Sequence, residues 1–82
     1  MKEKVMSLKG KTVRHFKGNY YLIEEVAKHS ETDEWMVVYR ALYGDCACYV
    51  RPLHMFCEEV PKEKENPTGQ KYRFEAYTIA SI

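Results

Sequence analysis

Short runs of apolar and strand-forming residues, separated by polar turn residues, recur along this chain, which is the pattern of short strands. Thr12 to Phe16 forms the first such run, and Lys17-Gly18-Asn19 follows it with turn residues that tolerate positive φ. Tyr20 to His29 predicts a long second strand, whose Glu24-Glu25 pair interrupts the alternation and marks a bend, a bulge or an edge position. After the polar turn Ser30 to Glu34, Trp35 to Tyr43 carries the strongest strand signal. Gly44-Asp45 has the two-residue hairpin signature with glycine first, and Cys46 to Arg51 is the return strand. Pro52 stops that strand and opens a single helical turn over Leu53 to Phe56. A charged loop spans 61–70, and Lys71 to Tyr77 predicts a last strand. Residues 1–11 read as a lysine-rich arm with at most one turn of helix, 12–77 as the single domain, and 78–82 as a tail.

Five short strands and one helical turn predict an all-β fold. At this length the expected form is a small five-stranded SH3-like barrel, since closure removes exposed sheet edges. With Gly44-Asp45 as the loop, Tyr43 faces Cys46, Ala41 faces Cys48, Tyr39 faces Val50 and Val37 faces Pro52. These pairs form the apolar core face. The other face then carries Arg40 opposite Tyr49, and Arg51 opposite Val38. Two guanidiniums beside a tyrosine suit either cation–π contact and anion or base stacking, or plain solvation of a half-exposed face.

Composition narrows the function. The 82 residues carry 13 Lys+Arg and 12 Asp+Glu, a net charge of +1 that excludes a strongly basic tail-type nucleic-acid binder. A hydrophobic fraction of 45% argues for a folded domain rather than a disordered chain. No apolar run reaches the ~18–20 residues of a membrane span. The start lacks the apolar stretch of a signal peptide, so the expected location is the cytoplasm, with no membrane association. Three cysteines without such a leader fit free thiols better than a disulfide framework.

Candidate chemistry is sparse. His15, Lys17 and Gly18 sit at a turn whose backbone N–H groups could hold an anion, or which is simply a solvated hairpin. His29 beside Glu31 suits proton transfer or a turn cap. Cys46, Cys48, His54 and Cys57 are zinc-type ligands without zinc-type spacing, and no metal or cofactor is expected. No phosphate loop, dinucleotide fingerprint or hydrolase motif occurs.

Four ordered blocks carry a family signature: Val13-Arg14-His15-Phe16-Lys17-Gly18-Asn19-Tyr20, Ala27-Lys28-His29-Ser30-Glu31-Thr32, Val37 to Asp45, and Val50-Arg51-Pro52-Leu53-His54-Met55-Phe56. Arg73-Phe74 closes it. Over about residues 10–75 the chain resembles the small bacterial domain of unknown function 1653 family. The resemblance implies a small β-barrel of SH3-like type and no assigned function. It favours a shared polar surface, because His15, Lys17, His29, Glu31, Arg40 and Arg51 fall on the motif. The three cysteines depart from the pattern, which weakens the zinc reading.

These features predict a non-catalytic binding module. Its expected ligand-binding residues are His15, Lys17, His29, Glu31, Arg40, Tyr49 and Arg51, and its expected ligand is anionic: a nucleotide, RNA or an acidic peptide. The alternatives are a protein-interaction module using Trp35, Tyr20 and Tyr43, and an enzyme with His15 or His29 paired to Glu31.

Overall fold

The computed structural model describes residues 2–77; the predicted tail 78–82 lies outside them. In chain order the elements are α1 (Lys2–Met6), β1 (Thr12–His15), β2 (Tyr20–Lys28), β3 (Trp35–Ala41), β4 (Cys48–Pro52), α2 (Leu53–Phe56) and β5 (Phe74–Ala76). The strands form one antiparallel sheet in the order β4-β3-β2-β1-β5.

The predicted SH3-like barrel is not what forms. β4 and β5 lie at opposite edges of the sheet, so it is open. The core face is covered instead by the two helices. Val5 of α1 is 4% exposed, and Leu53 and Phe56 of α2 are buried with it. The arm at 1–11 therefore includes a core element, with Leu8 packed against the same cluster. Covering one face with helices removes apolar surface from water as closure would, without a fifth strand pairing between β4 and β5.

Alternation sets the core. Val13 on β1, Tyr21 and Ile23 on β2, Val37, Tyr39 and Ala41 on β3, and Phe74 on β5 share the inner face by register. The expected irregularity at Glu24-Glu25 is a bulge between Ile23 and Glu25, after which Val26 resumes the inner position opposite Val37. The spacing of three between Ile23 and Val26 is the mark of the extra residue. Lys9 holds Glu25 at 3.0 Å.

The β1–β2 turn is tight, with the Gly18 N–H donating to the His15 carbonyl at 2.8 Å and Gly18 at φ 111°. A side chain there is strained although space is open around it. Gly18→Ala is expected to lower stability by about 1 kcal/mol, read as a drop in the thermal midpoint. An unchanged midpoint would show that the turn relaxes freely.

The predicted β3–β4 loop is wrong by one residue in register. Tyr39 faces Tyr49, Val37 faces Arg51 and Arg40 faces Cys48. The loop covers 42–46, closed by Ala41 N–H to the Ala47 carbonyl at 2.9 Å. Gly44 (φ 58°) and Cys46 (φ 56°) both take left-handed backbone. A one-residue shift turns every side chain of the return strand to the other face. Tyr49 and Arg51 thereby join the inner side, and Cys48 and Val50 the outer.

The 61–70 loop is tied to β1. Thr68 Oγ1 donates to the Phe16 carbonyl at 3.1 Å, and Gln70 Nε2 to the Arg14 carbonyl at 3.0 Å. The Asn66 side chain bonds Gln70 from inside the loop.

Candidate functional site

The uncovered end of the inner face is aromatic. Tyr21 lies at its centre, with edge contacts to Tyr39, Tyr43 and Phe74 at 5.4, 5.6 and 5.6 Å between ring centroids. Tyr49 leans over Tyr39 at 5.8 Å and stays 45% exposed, forming one lip. The Tyr21 and Tyr43 hydroxyls meet at 2.6 Å. Burial, and then that hydrogen bond, pushes the Tyr21 phenol above its ordinary range, so it stays neutral.

His15 closes the other side, stacked on Phe16 at 4.5 Å and edge-on to Phe74 at 4.9 Å. Its Nδ1 accepts the Lys17 backbone N–H at 3.1 Å, which leaves the ring proton on Nε2. Burial pulls its pKa down to about 4, and Arg73, Lys17 and Arg51 reinforce the shift. His15 is therefore a neutral donor inside a cluster of cations.

Arg51 spends its Nε on the Tyr39 hydroxyl at 3.2 Å. Among the described residues it has no carboxylate partner. Arg73 stacks over Phe16 at 6.0 Å with Glu58 at 3.7 Å from its guanidinium, and its buried Nε has no partner among the described residues.

The structure thus brings together His15, Lys17, Tyr49 and Arg51, and separates them from the other candidates. Arg40 lies on the outer face, where Glu24 holds it at 2.8 Å and the Cys46 carbonyl at 2.9 Å. That bond, before any other influence, keeps the Glu24 carboxyl below its ordinary range. Arg40 does not flank Tyr49 as predicted, because the register change moved Tyr49 to the opposite face. His29 is a turn cap: its Nδ1 accepts the Glu31 and Thr32 N–H groups at 3.1 and 3.3 Å. His15 lies at the opposite end of β2 from His29 and Glu31, and His29 Nδ1 is engaged by backbone N–H groups rather than by the Glu31 carboxylate. Glu31 stays exposed in the turn after β2.

The zinc-type residues are also dispersed. His54 pairs with Glu34 at 3.3 Å, and Cys57 follows α2 on the helical side of the sheet, away from the outer-face Cys48. Among the described residues no group of three or more His, Cys, Asp or Glu could hold a metal. No helix among them is long and apolar enough to cross a membrane.

Sequence reasoning placed Tyr43 on the core face and among the docking residues, and missed Tyr21 and Arg73 as parts of this face. The available signal was the placement of Tyr21 two residues before Ile23, which puts both on one side of the strand.

Comparison with known proteins matches this arrangement to a family. The family model described as "Protein of unknown function (DUF1653)" matches residues 11–76. A crystal structure of a DUF1653 protein from Bordetella bronchiseptica superposes with a TM-score of 0.69 at 32% identity, covering 94% of this chain and 96% of that one. None of the curated proteins matches. With four-fifths of its length inside the family model and a solved relative spanning nearly all of both chains, this chain belongs to the DUF1653 family.

Proposed function

We propose that this domain is a non-catalytic binding module for an anionic ligand, seated on the aromatic end of the inner sheet face. The observation that carries the reading is Arg51. It is oriented by the Tyr39 hydroxyl, has no carboxylate partner among the described residues, and stands beside the exposed ring of Tyr49. Arg40, with its Glu24 partner, has no comparable charge to offer. A half-free guanidinium suits a phosphate, and an exposed tyrosine ring suits a base stacked upon it. A nucleotide or short single-stranded RNA uses both features, whereas an acidic peptide uses only the first. Lys17 at the rim and the Nε2–H of His15 add donors around the same spot. Trp35, Tyr20 and Tyr43, the residues of the protein-docking alternative, form no single patch. Tyr20 is on the outer face beside Arg14 and Tyr77, and Trp35 is flanked by Lys2 and Lys28.

The test is fluorescence anisotropy with a labelled short oligoribonucleotide. Binding is expected to weaken as salt rises. Arg51→Ala is expected to lose about tenfold in affinity, since hydrogen bonds to charged groups contribute about 1.5–3 kcal/mol. Arg40→Ala should bind as the parent does. Equal affinity for the parent and Arg51→Ala removes this reading.

A further inference from the structure

The open sheet has two edges, and they differ. β5 has three residues, and the chain just before it is covered: Tyr72 bridges to Glu59, and Arg73 N–H donates to the Glu58 carbonyl at 2.8 Å. β4 has five residues, and among the described residues no segment pairs with its outer side. Natural sheets protect such an edge with a lysine, a bulge or a covering segment. Within β4 none of these occurs. Its single charge, Arg51, points to the inner face, and Pro52 stands only at its end. Val50, at the centre of the strand, is 61% exposed.

The backbone of β4 is suited to pairing with itself. The Ala41–Ala47 hydrogen bond sets the alternation, so Ala47, Tyr49 and Arg51 direct their backbone groups towards β3. Cys48, Val50 and Pro52 direct theirs outward. A twofold axis through Val50 places Val50 of one copy opposite Val50 of the other. It also places Cys48 opposite Pro52, and Tyr49 opposite Arg51. The two Val50 residues exchange N–H and C=O bonds, and each Cys48 N–H reaches the Pro52 carbonyl of the other copy. Pro52 sits at the one outward position where its missing N–H costs a single bond at each end.

The side chains agree with this register. On the inner side each guanidinium meets a tyrosine ring, which is a favourable contact, and the two Arg51 charges are kept apart. A twofold centred on Arg51 would set them face to face. On the outer side the two exposed Val50 side chains meet beside Val38, their neighbour on β3.

We infer that β4 is a self-association edge, and that two copies of this chain pair antiparallel through Cys48–Pro52 about Val50 into one continuous ten-stranded sheet, with both helical layers on the same side. The inference stands on the edge geometry and does not depend on the ligand reading.

Sedimentation equilibrium over about two decades of concentration tests it, because mass action separates the states. The parent chain is expected to approach twice the one-chain mass at the upper end. Val50→Pro removes the outward N–H without touching the β3 ladder, and Val50→Lys opposes two like charges at the axis while leaving the backbone intact. Both are expected to remain at the one-chain mass, with far-ultraviolet circular dichroism confirming that they fold. A parent chain that stays at the one-chain mass throughout overturns the inference. So does a dimer that persists in Val50→Lys.

Discussion

Phe74→Ala is expected to remove about 3–5 kcal/mol of stability, the cost of deleting a buried aromatic side chain and leaving its cavity. Phe74 is 8% exposed and joins three other elements, from both the sheet and the helical layer. Its ring lies parallel on Phe56 of α2, with centroids 4.2 Å apart and planes 2° from parallel. It also meets His15 of β1 edge-on at 4.9 Å, and Tyr39 of β3 at 5.3 Å. No neighbouring side chain can fill the space without leaving one of these contacts. A domain of this size is stable by only about 5–10 kcal/mol, so the variant should be close to half unfolded in modest denaturant. Urea unfolding at constant m-value reads the loss directly. A loss below about 1 kcal/mol would mean that α2 collapses into the gap, contrary to the close packing expected of a core.

Acid should weaken the fold through His15 before it acts through the carboxylates. In the unfolded chain this imidazole takes its proton near its ordinary pKa of 6.5; in the fold it does so only at about 4. Between those values the unfolded state holds more protons, so each step down in pH favours unfolding. Stability is therefore full above pH 6.5, declines as pH falls towards 4, and stops responding to this group below that. The shift would correspond to about 3.4 kcal/mol if fully expressed. His15 is partly open to solvent, and screening reduces this to on the order of 2 kcal/mol. Below about pH 4.5 the lowered carboxyls of Glu24 and Glu25 add their own losses, held respectively by Arg40 and Lys9. His15→Phe keeps an aromatic ring in the stack and should flatten the curve between pH 6.5 and 4. An imidazole resonance of His15 that titrates in the folded protein near pH 6.5 would refute the assignment.

The order of the strands was legible from strand formers and turn chemistry, and so was an irregularity at Glu24-Glu25, because regular alternation would turn one of two adjacent glutamates to the apolar face. The β4 face was not. A glycine-first dipeptide at 44–45 suggests a two-residue loop, and only the left-handed Cys46 reveals the longer one. Cysteine carries no propensity for that backbone, so no residue type announced the shift. The consequence reached the site itself: Arg40 and Arg51 were expected to share a face, and they lie on opposite ones. The barrel expectation failed for a related reason. Val5 and Leu8 stand in a lysine-rich stretch too short to show helical periodicity, so one of the two helices that cover the core had no local signature.

Four strands of the sheet are joined as a meander, each pairing with its sequence neighbour, while β5 returns to β1 after about sixty residues, a closure with a larger entropic cost than any hairpin. The meander can therefore assemble from local pairings first, with β5 docking late and bringing the aromatic stack with it. In kinetic terms the Phe56–Phe74 contact belongs to the final descent to the native state. Weakening it should chiefly hasten unfolding and leave the folding rate nearly unchanged.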